Sequence, residues 1–173
     1  MRLPVDTKAG MTLNVLIVDD DEAFREVIKR QMGQGVKVIG EAARGDDGVL
    51  LAKELRPDVV LMDLDLPGLD GIAATRQIKA VDPEVKVILL TPHDEEAYLS
   101  STGKSGADAI LPKRSVRAEI LSRIRVVMSG FWSTWDGRER RGKGSFSGRW
   151  YGRERRRQRS SAEASGEQER DPD

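Results

Sequence analysis

The residues of this chain whose types and spacing could do chemistry are a few aspartates, one threonine and one lysine. In Pro57-Asp58-Val59-Val60-Leu61-Met62-Asp63-Leu64-Asp65-Leu66-Pro67-Gly68, four apolar residues lie between Pro57 and a Pro-Gly turn. That pattern reads as a short strand buried on both faces. Asp63 is then the first polar residue past its carboxyl end, where open α/β sheets bind ligands. A second apolar run, Leu13 to Val18, ends in Asp19-Asp20-Asp21, and a third, Val85 to Leu90, ends in Thr91. A fourth, Ala107 to Leu111, ends in Pro112-Lys113. If the strands are parallel, all these groups share one edge of one sheet.

A carboxylate so placed can attack a phosphoryl group and form an acyl phosphate. Asp20 and Asp63 can hold Mg²⁺ through oxygen, neutralising charge on the transferred group. The Thr91 hydroxyl can donate to one phosphoryl oxygen, and the Lys113 ammonium can pair with another. Each residue alone has a plainer explanation: Asp63 as a loop cap, Thr91 as a strand-end residue, Lys113 as a surface charge, Asp20 as decoration of a helix start. Their joint placement does not.

The elements that must position them follow from periodicity. After the strand at 13–18, Ala23, Phe24, Val27, Ile28 and Met32 recur on one helical face, with Asp21 as N-cap and Gly33 as the stop. Val36–Gly40 reads as a strand and Asp46–Leu55 as a helix, with Val49, Leu50, Ala52 and Leu55 inward. After the central strand, Asp70 caps a helix through Ala80 with Ile72, Ala73, the Arg76 stem and Ile78 inward, broken at Asp82-Pro83. A weaker helix is expected from Glu95 to Lys104. Ser115 should cap a last helix carrying Val116, Ile120, Ile124 and Val127. Five β-α units of this kind make a doubly wound α/β domain with a parallel sheet.

Composition bounds the rest. The 173 residues suit one domain of ordinary size. Cys is absent and His93 is the single histidine, which excludes disulfides and thiolate metal sites and argues against zinc. The first dozen residues have no apolar core of signal-peptide length and no apolar run could span a membrane, so a cytoplasmic protein is expected. The net charge of zero hides a block: residues 138–159 hold 10 basic side chains against 2 acidic. Residues 129–173 contain no Val, Ile, Leu or Met, and cannot bury enough apolar area to offset their ordering entropy. The expected organisation is a disordered start at 1–11, one domain at 12–129 and a disordered Arg/Gly/Ser-rich tail at 130–173. Within the tail, Trp135-Asp136-Gly137-Arg138-Glu139-Arg140-Arg141 is nearly repeated by Trp150-Tyr151-Gly152-Arg153-Glu154-Arg155-Arg156. Such a block can bind nucleic acid or an acidic partner by charge and stacking, or be a solvated extension.

In combination, Val18-Asp19-Asp20-Asp21, Leu61-Met62-Asp63-Leu64-Asp65-Leu66-Pro67-Gly68-Leu69-Asp70-Gly71, Leu89-Leu90-Thr91 and Gly106-Ala107-Asp108-Ala109-Ile110-Leu111-Pro112-Lys113 resemble the receiver domain of two-component response regulators. The resemblance covers residues 12 to about 128 and is nearest to receivers that precede a helix-turn-helix output domain. It implies a flavodoxin-like five-stranded sheet of order 2-1-3-4-5. It implies Asp63 as phosphoacceptor, Mg²⁺ on Asp20, Asp63 and the Asp65 backbone carbonyl with Asp19 acting through water, and Thr91 and Lys113 as phosphoryl partners. A sensor histidine kinase or phosphotransfer protein would supply the phosphoryl group. A downstream protein, or a second copy, would dock on the face made by the fourth helix, fifth strand and fifth helix.

Two positions depart from the family pattern. Pro92 follows Thr91 where a backbone N–H would help hold the phosphoryl group, and Ile110 stands where an aromatic side chain is usual. Both imply a weakened or rerouted response. His93, two residues past Thr91, either influences phosphoryl lifetime or is a loop histidine.

Other functions fit less well. Asp63-Leu64-Asp65 also resembles the nucleophile motif of haloacid-dehalogenase-like phosphatases, but those need an acidic motif after the lysine and this chain has its cluster before the nucleophile. A DNA-binding response regulator needs a helix-turn-helix with its own apolar face, which residues 129–173 do not offer, so that reading requires a truncated output domain.

Overall fold

The computed structural model describes residues 12–92 and 105–134, and side chains to residue 129. Five strands, β1 (Leu13–Val18), β2 (Val36–Ala42), β3 (Val59–Asp63), β4 (Lys86–Thr91) and β5 (Ala109–Pro112), form one sheet of order β2-β1-β3-β4-β5. Every pairing is parallel. Helices α1 (Glu22–Gln31), α2 (Gly45–Leu55) and α3 (Gly71–Val81) alternate with the strands. The last helix, α4 (Val116–Thr134), follows a short 3-10 turn at Lys113–Ser115. This is the doubly wound arrangement that the spacing of apolar runs predicts, in the flavodoxin-like strand order that the receiver resemblance implies.

Alternation along β1 and β3 divides the core into two layers. Leu13, Val15, Ile17, Val59 and Leu61 pack with Ile28 of α1 and Val116, Ile120, Ile124 and Met128 of α4. Leu16, Val18, Val60 and Met62 pack with Ala52 of α2 and Ala74 and Ile78 of α3. Strands buried on both faces read as continuous apolar runs, and the three central strands do so here. Reversal at β1, with β2 to one side and β3 to the other, opens the crevice at the carboxyl edge where such sheets bind ligands.

Local capping matches expectation at two helices. Asp21 accepts from the Phe24 N–H at 3.1 Å, and Asp70 from the Ala73 N–H at 2.7 Å. Elsewhere the structure corrects the sequence. Helix α1 stops at Gln31 with Met32 extended, and it is Gly35, not Gly33, that takes the left-handed turn (φ 79°). Ala23, Leu50 and Arg76 are exposed, because each lies nearly opposite the buried stripe of its helix. Ser115 closes the 3-10 turn and directly precedes α4. β2 runs to Ala42, two residues past its expected end, and α4 continues to Thr134, past the expected boundary at 129. The expected start at 1–11, the helix at Glu95–Lys104, His93, the near-repeat and the basic block at 138–159 lie outside the described residues. Among the described residues no helix is long and apolar enough to cross a membrane.

Candidate functional site

β3 is the central strand, hydrogen-bonded to β1 on one side and β4 on the other, and it delivers Asp63 as its last residue. Only 2% of Asp63 is exposed. The chain leaves the strand through Leu64, whose N–H donates to the Leu90 carbonyl at 2.9 Å, and turns at Gly68 (φ 81°) into α3. The first residue of α3 is Gly71, where a Cβ would sit 2.0 Å from the Asp63 carbonyl oxygen. Glycine is therefore needed for α3 to start so close to the acidic residue.

β1 delivers Asp19, which is fully buried, and Asp20, which is exposed. The Asp19 N–H donates to the Ala42 carbonyl at 3.0 Å, and its Oδ1 accepts from the Asp21 N–H at 3.0 Å. β5 delivers Lys113 at the start of the 3-10 turn. Its Nζ lies 2.8 Å from Asp19 Oδ2 and 2.9 Å from Asp63 Oδ2, straddling residues 94 and 50 positions away in sequence. The ammonium also sits 4.8 Å from the centroid of the Phe24 ring, a cation–π contact that supports it from below. Thr91, fully buried, ends β4 one register step beyond Leu90, the partner of Asp63, and pairs with Pro112. The Asp65 N–H points to Asp63 Oδ1 at 3.4 Å.

The electrostatics are unbalanced. Ligand oxygens of Asp19, Asp20 and Asp63 can all lie within 4.8 Å of one another, against one ammonium. Burial pushes the Asp63 carboxyl up to about 6; the Lys113 hydrogen bond opposes this and the Asp19 charge adds to it. Burial also raises the Asp19 pKa, although Lys113 and the Asp21 N–H pull it down. Lys113 is itself desolvated, which lowers its pKa, but its bonds to Asp19 and Asp63 outweigh that and hold it charged. Asp19 Oδ2, buried, has the nearby ammonium as an ion-pair partner but no hydrogen bond of good geometry.

A hard dication suits this donor set. Three carboxylates and one ammonium leave two negative charges, and buried Asp19 Oδ2 has no hydrogen bond beyond its ion pair with Lys113. Mg²⁺ takes oxygen ligands at about 2.0–2.1 Å and keeps several waters, so a carboxylate slightly too far for direct ligation can act through one. The residues therefore fit Mg²⁺, which Asp19, Asp20 and Asp63 could hold.

A model of the response regulator receiver domain matches residues 15–125. The chain belongs to the response regulator receiver family. Among curated relatives, the response regulator UvrY of Escherichia coli K12 is 42% identical over 120 residues, covering 68% of this chain and 55% of UvrY. The chain thus spans about half the length of that relative. The receiver domain of NarL from Mycobacterium tuberculosis superposes with a TM-score of 0.65 at 32% identity, covering 69% of this chain and 98% of that one. A CheY from Borrelia burgdorferi, solved with CheX, BeF₃ and Mg²⁺, has a TM-score of 0.63 at 30% identity, covering 70% of this chain and 91% of its own. Residues 15–125 are therefore a response regulator receiver domain.

The sequence singled out Asp19, Asp20, Asp63, Thr91, Asp65 and Lys113, and the fold brings all six to one edge. Contact is direct for Lys113 with Asp19 and Asp63, and for Asp65 with Asp63 through its N–H. Sequence reasoning missed two supports. Phe24 was legible only as a core residue of α1, and Glu41 lay beyond the expected end of β2.

Proposed function

We propose that this receiver accepts a phosphoryl group on Asp63 with Mg²⁺ bound beside it, and signals through protein contact. The observation that carries the reading is the Lys113 ammonium shared between Asp19 and Asp63 at 2.8 and 2.9 Å. An Asp63 carboxylate oxygen attacks phosphorus, the bond from phosphorus to the donor imidazole nitrogen breaks, and the electron pair leaves with the histidine of a sensor kinase or phosphotransfer protein. Mg²⁺, when bound, offsets charge on the phosphoryl oxygens. Lys113 follows the charge outward, from Asp63 to a phosphoryl oxygen, as the Asp63 carboxylate loses its charge to the acyl phosphate's phosphoryl oxygens. Thr91 supplies a hydroxyl from the neighbouring strand end. Water then reverses the modification, so the activity is confined to the protein's own aspartate.

Pro92, exposed and directly after Thr91, removes one backbone donor from the phosphoryl cradle. A hydrogen bond to a charged group contributes about 1.5–3 kcal/mol, so Pro92→Ala is expected to tighten BeF₃ binding by roughly 10- to 100-fold. Ile110, half-buried in β5 and paired with Leu89, lacks the ring that would swing inward, so coupling to the outer face of β5 and α4 is reduced.

The reading is tested by incubating wild type and Asp63→Ala with acetyl phosphate, with Mg²⁺ or with EDTA, and separating phosphorylated protein on a phosphate-affinity gel. A retarded band only for wild type with Mg²⁺ supports it. Equal labelling of Asp63→Ala, or labelling in EDTA, overturns it.

A further inference from the structure

We infer that Arg25, held by Glu41, is the positioning residue of the acidic loop, fixing the Asp19–Asp20 peptide so that both carboxylates face Asp63. The inference rests on the pocket being the cation site described above. The Arg25 guanidinium donates from Nη1 to the Asp19 carbonyl oxygen at 2.7 Å and from Nε to Glu41 Oε2 at 3.1 Å. Glu41 is in turn gripped at Oε1 by Lys29 Nζ at 2.8 Å, and Lys29 also pairs with Glu26. Arg25 and Glu41 are only 14% and 21% exposed, so this is a partly buried bridge rather than a solvated surface pair.

The bridge acts on one peptide plane. The Asp19 N–H is already tied to Ala42, and its Oδ1 to the Asp21 N–H. The Asp19 carbonyl belongs to the peptide joining Asp19 to Asp20, so Arg25 sets the rotation of that plane and hence where Asp20 points. Asp20 is exposed and sits on the solvent side of the pocket, so without that plane its carboxylate has no fixed direction. A planar fork that reaches two acceptors at once is a property of arginine that lysine lacks.

An irregularity in the sheet puts Glu41 within reach. β1 and β2 are in register from Leu13↔Val36 to Val15↔Val38, then shift so that Leu16 faces Gly40 and Ile17 faces Glu41. One extra residue, Ile39, changes the parity of the strand. Val36 and Val38 lie on the α1 side, and unbroken alternation would turn Glu41 to the α2 side. The bulge instead sends Gly40 towards Leu16 and Leu55, and Glu41 to α1, where Arg25 and Lys29 are waiting.

The test measures Mg²⁺ affinity of the full chain by calorimetry, and amide exchange at Asp21 in EDTA. Variants are Arg25→Ala, Arg25→Lys, Glu41→Gln, Asp20→Asn and the doubles. Arg25→Ala and Arg25→Lys are expected to weaken Mg²⁺ binding about 5- to 10-fold and to speed Asp21 exchange without metal. Glu41→Gln should weaken binding less and add nothing in the Arg25→Ala background, and Arg25→Ala should add nothing to Asp20→Asn. A general loss of stability would instead speed exchange across β3 and β4 as well. Wild-type affinity in Arg25→Ala, or effects that multiply with Asp20→Asn, overturns the inference while leaving the pocket reading intact. A wild type that binds no Mg²⁺ overturns both.

Discussion

The two edges of the sheet both carry aspartates, and they treat them in opposite ways. At the amino edge, Asp58 Oδ2 accepts from the Asn14 N–H at 2.7 Å and from Asn14 Nδ2 at 3.2 Å. Asp108 collects Lys79 Nζ at 2.5 Å, Lys86 Nζ at 3.1 Å and the Val87 N–H at 2.9 Å. Those donors tie β1 to β3 and β4 to β5 and leave little acceptor capacity over. At the carboxyl edge Asp19 and Asp63 share one lysine, with Asp20 in the same acidic cluster, and Asp19 Oδ2 has no well-directed hydrogen bond. One edge uses carboxylates to hold strands together. The other stores uncompensated negative charge against the fold, which is how a binding site differs from a structural one.

The sharpest break between the edges is functional. Asp63→Ala is expected to reduce acetyl-phosphate labelling by more than about 100-fold, since it removes the carboxylate proposed to form the anhydride. Asp108→Ala should leave labelling within about twofold of wild type, read on the same phosphate-affinity gel at a temperature where both are folded.

Stability should run the other way, and urea titration checks it. Asp108→Ala strands two ammonium groups and a backbone N–H, at a cost of roughly 2–3 kcal/mol. Asp63→Asn, by contrast, removes a carboxyl that must be ionised in a poor place. A group whose pKa rises from 3.8 to about 6 on folding costs up to about 3 kcal/mol when ionised at pH 7. The variant is therefore expected to be more stable than metal-free wild type by about 1–3 kcal/mol at pH 7. Saturating Mg²⁺ should cancel much of that difference by stabilising wild type alone, about 2.7 kcal/mol at 100 times the dissociation constant.

The carboxyl edge was far more legible in the sequence than its supports. Asp63, Thr91 and Lys113 each end an apolar run, and a buried strand announces its own length, so their shared edge followed from spacing alone. Asp21 and Asp70 were legible as caps because an N-cap needs only local sequence. Glu41 was not, because its face depends on a one-residue bulge at Ile39 that alternation cannot foresee. Arg25 likewise looks like any charged residue on a helix until the strand beside it is in place. The inward Leu50 and Arg76 failed for a different reason: a small residue, Gly48 against Val18 in α2 or Ala74 in α3, takes the contact and lets the helix lie close, turning the larger neighbours out.

pH separates Asp63 from the strand-binding carboxylates on α1's side. Because the folded-state pKa of Asp63 is raised, its stability contribution is full below about pH 4 and is lost as pH rises through about 6. The advantage of Asp63→Asn over metal-free wild type should thus grow from pH 4 to pH 7. Glu41 has the opposite sign: burial raises its pKa, but the hydrogen bonds from Lys29 and Arg25 outweigh that and lower it below 4.5. Its contribution is present above that value and lost as pH falls, so Glu41→Gln should differ most from wild type at neutral pH and converge with it in acid. Chemical denaturation in EDTA across that range reads both slopes.

The smallest effect belongs to the lysines of the amino edge. Lys79→Met leaves Asp108 with Lys86 and the Val87 N–H, and Lys86→Met leaves it with Lys79 and the same N–H. Each single change is expected to cost about 1 kcal/mol or less, since a well-served carboxylate loses one donor of three. The double variant should cost more than the two singles added together, because only then does Asp108 depend on one backbone N–H. At the carboxyl edge the corresponding change, Lys113→Met, removes the single ammonium between two buried carboxylates and leaves each with one backbone N–H, from Asp21 and from Asp65. A double Lys79/Lys86 variant as stable as either single would mean that the amino edge is no better supplied than the carboxyl edge, and the contrast between them would fail.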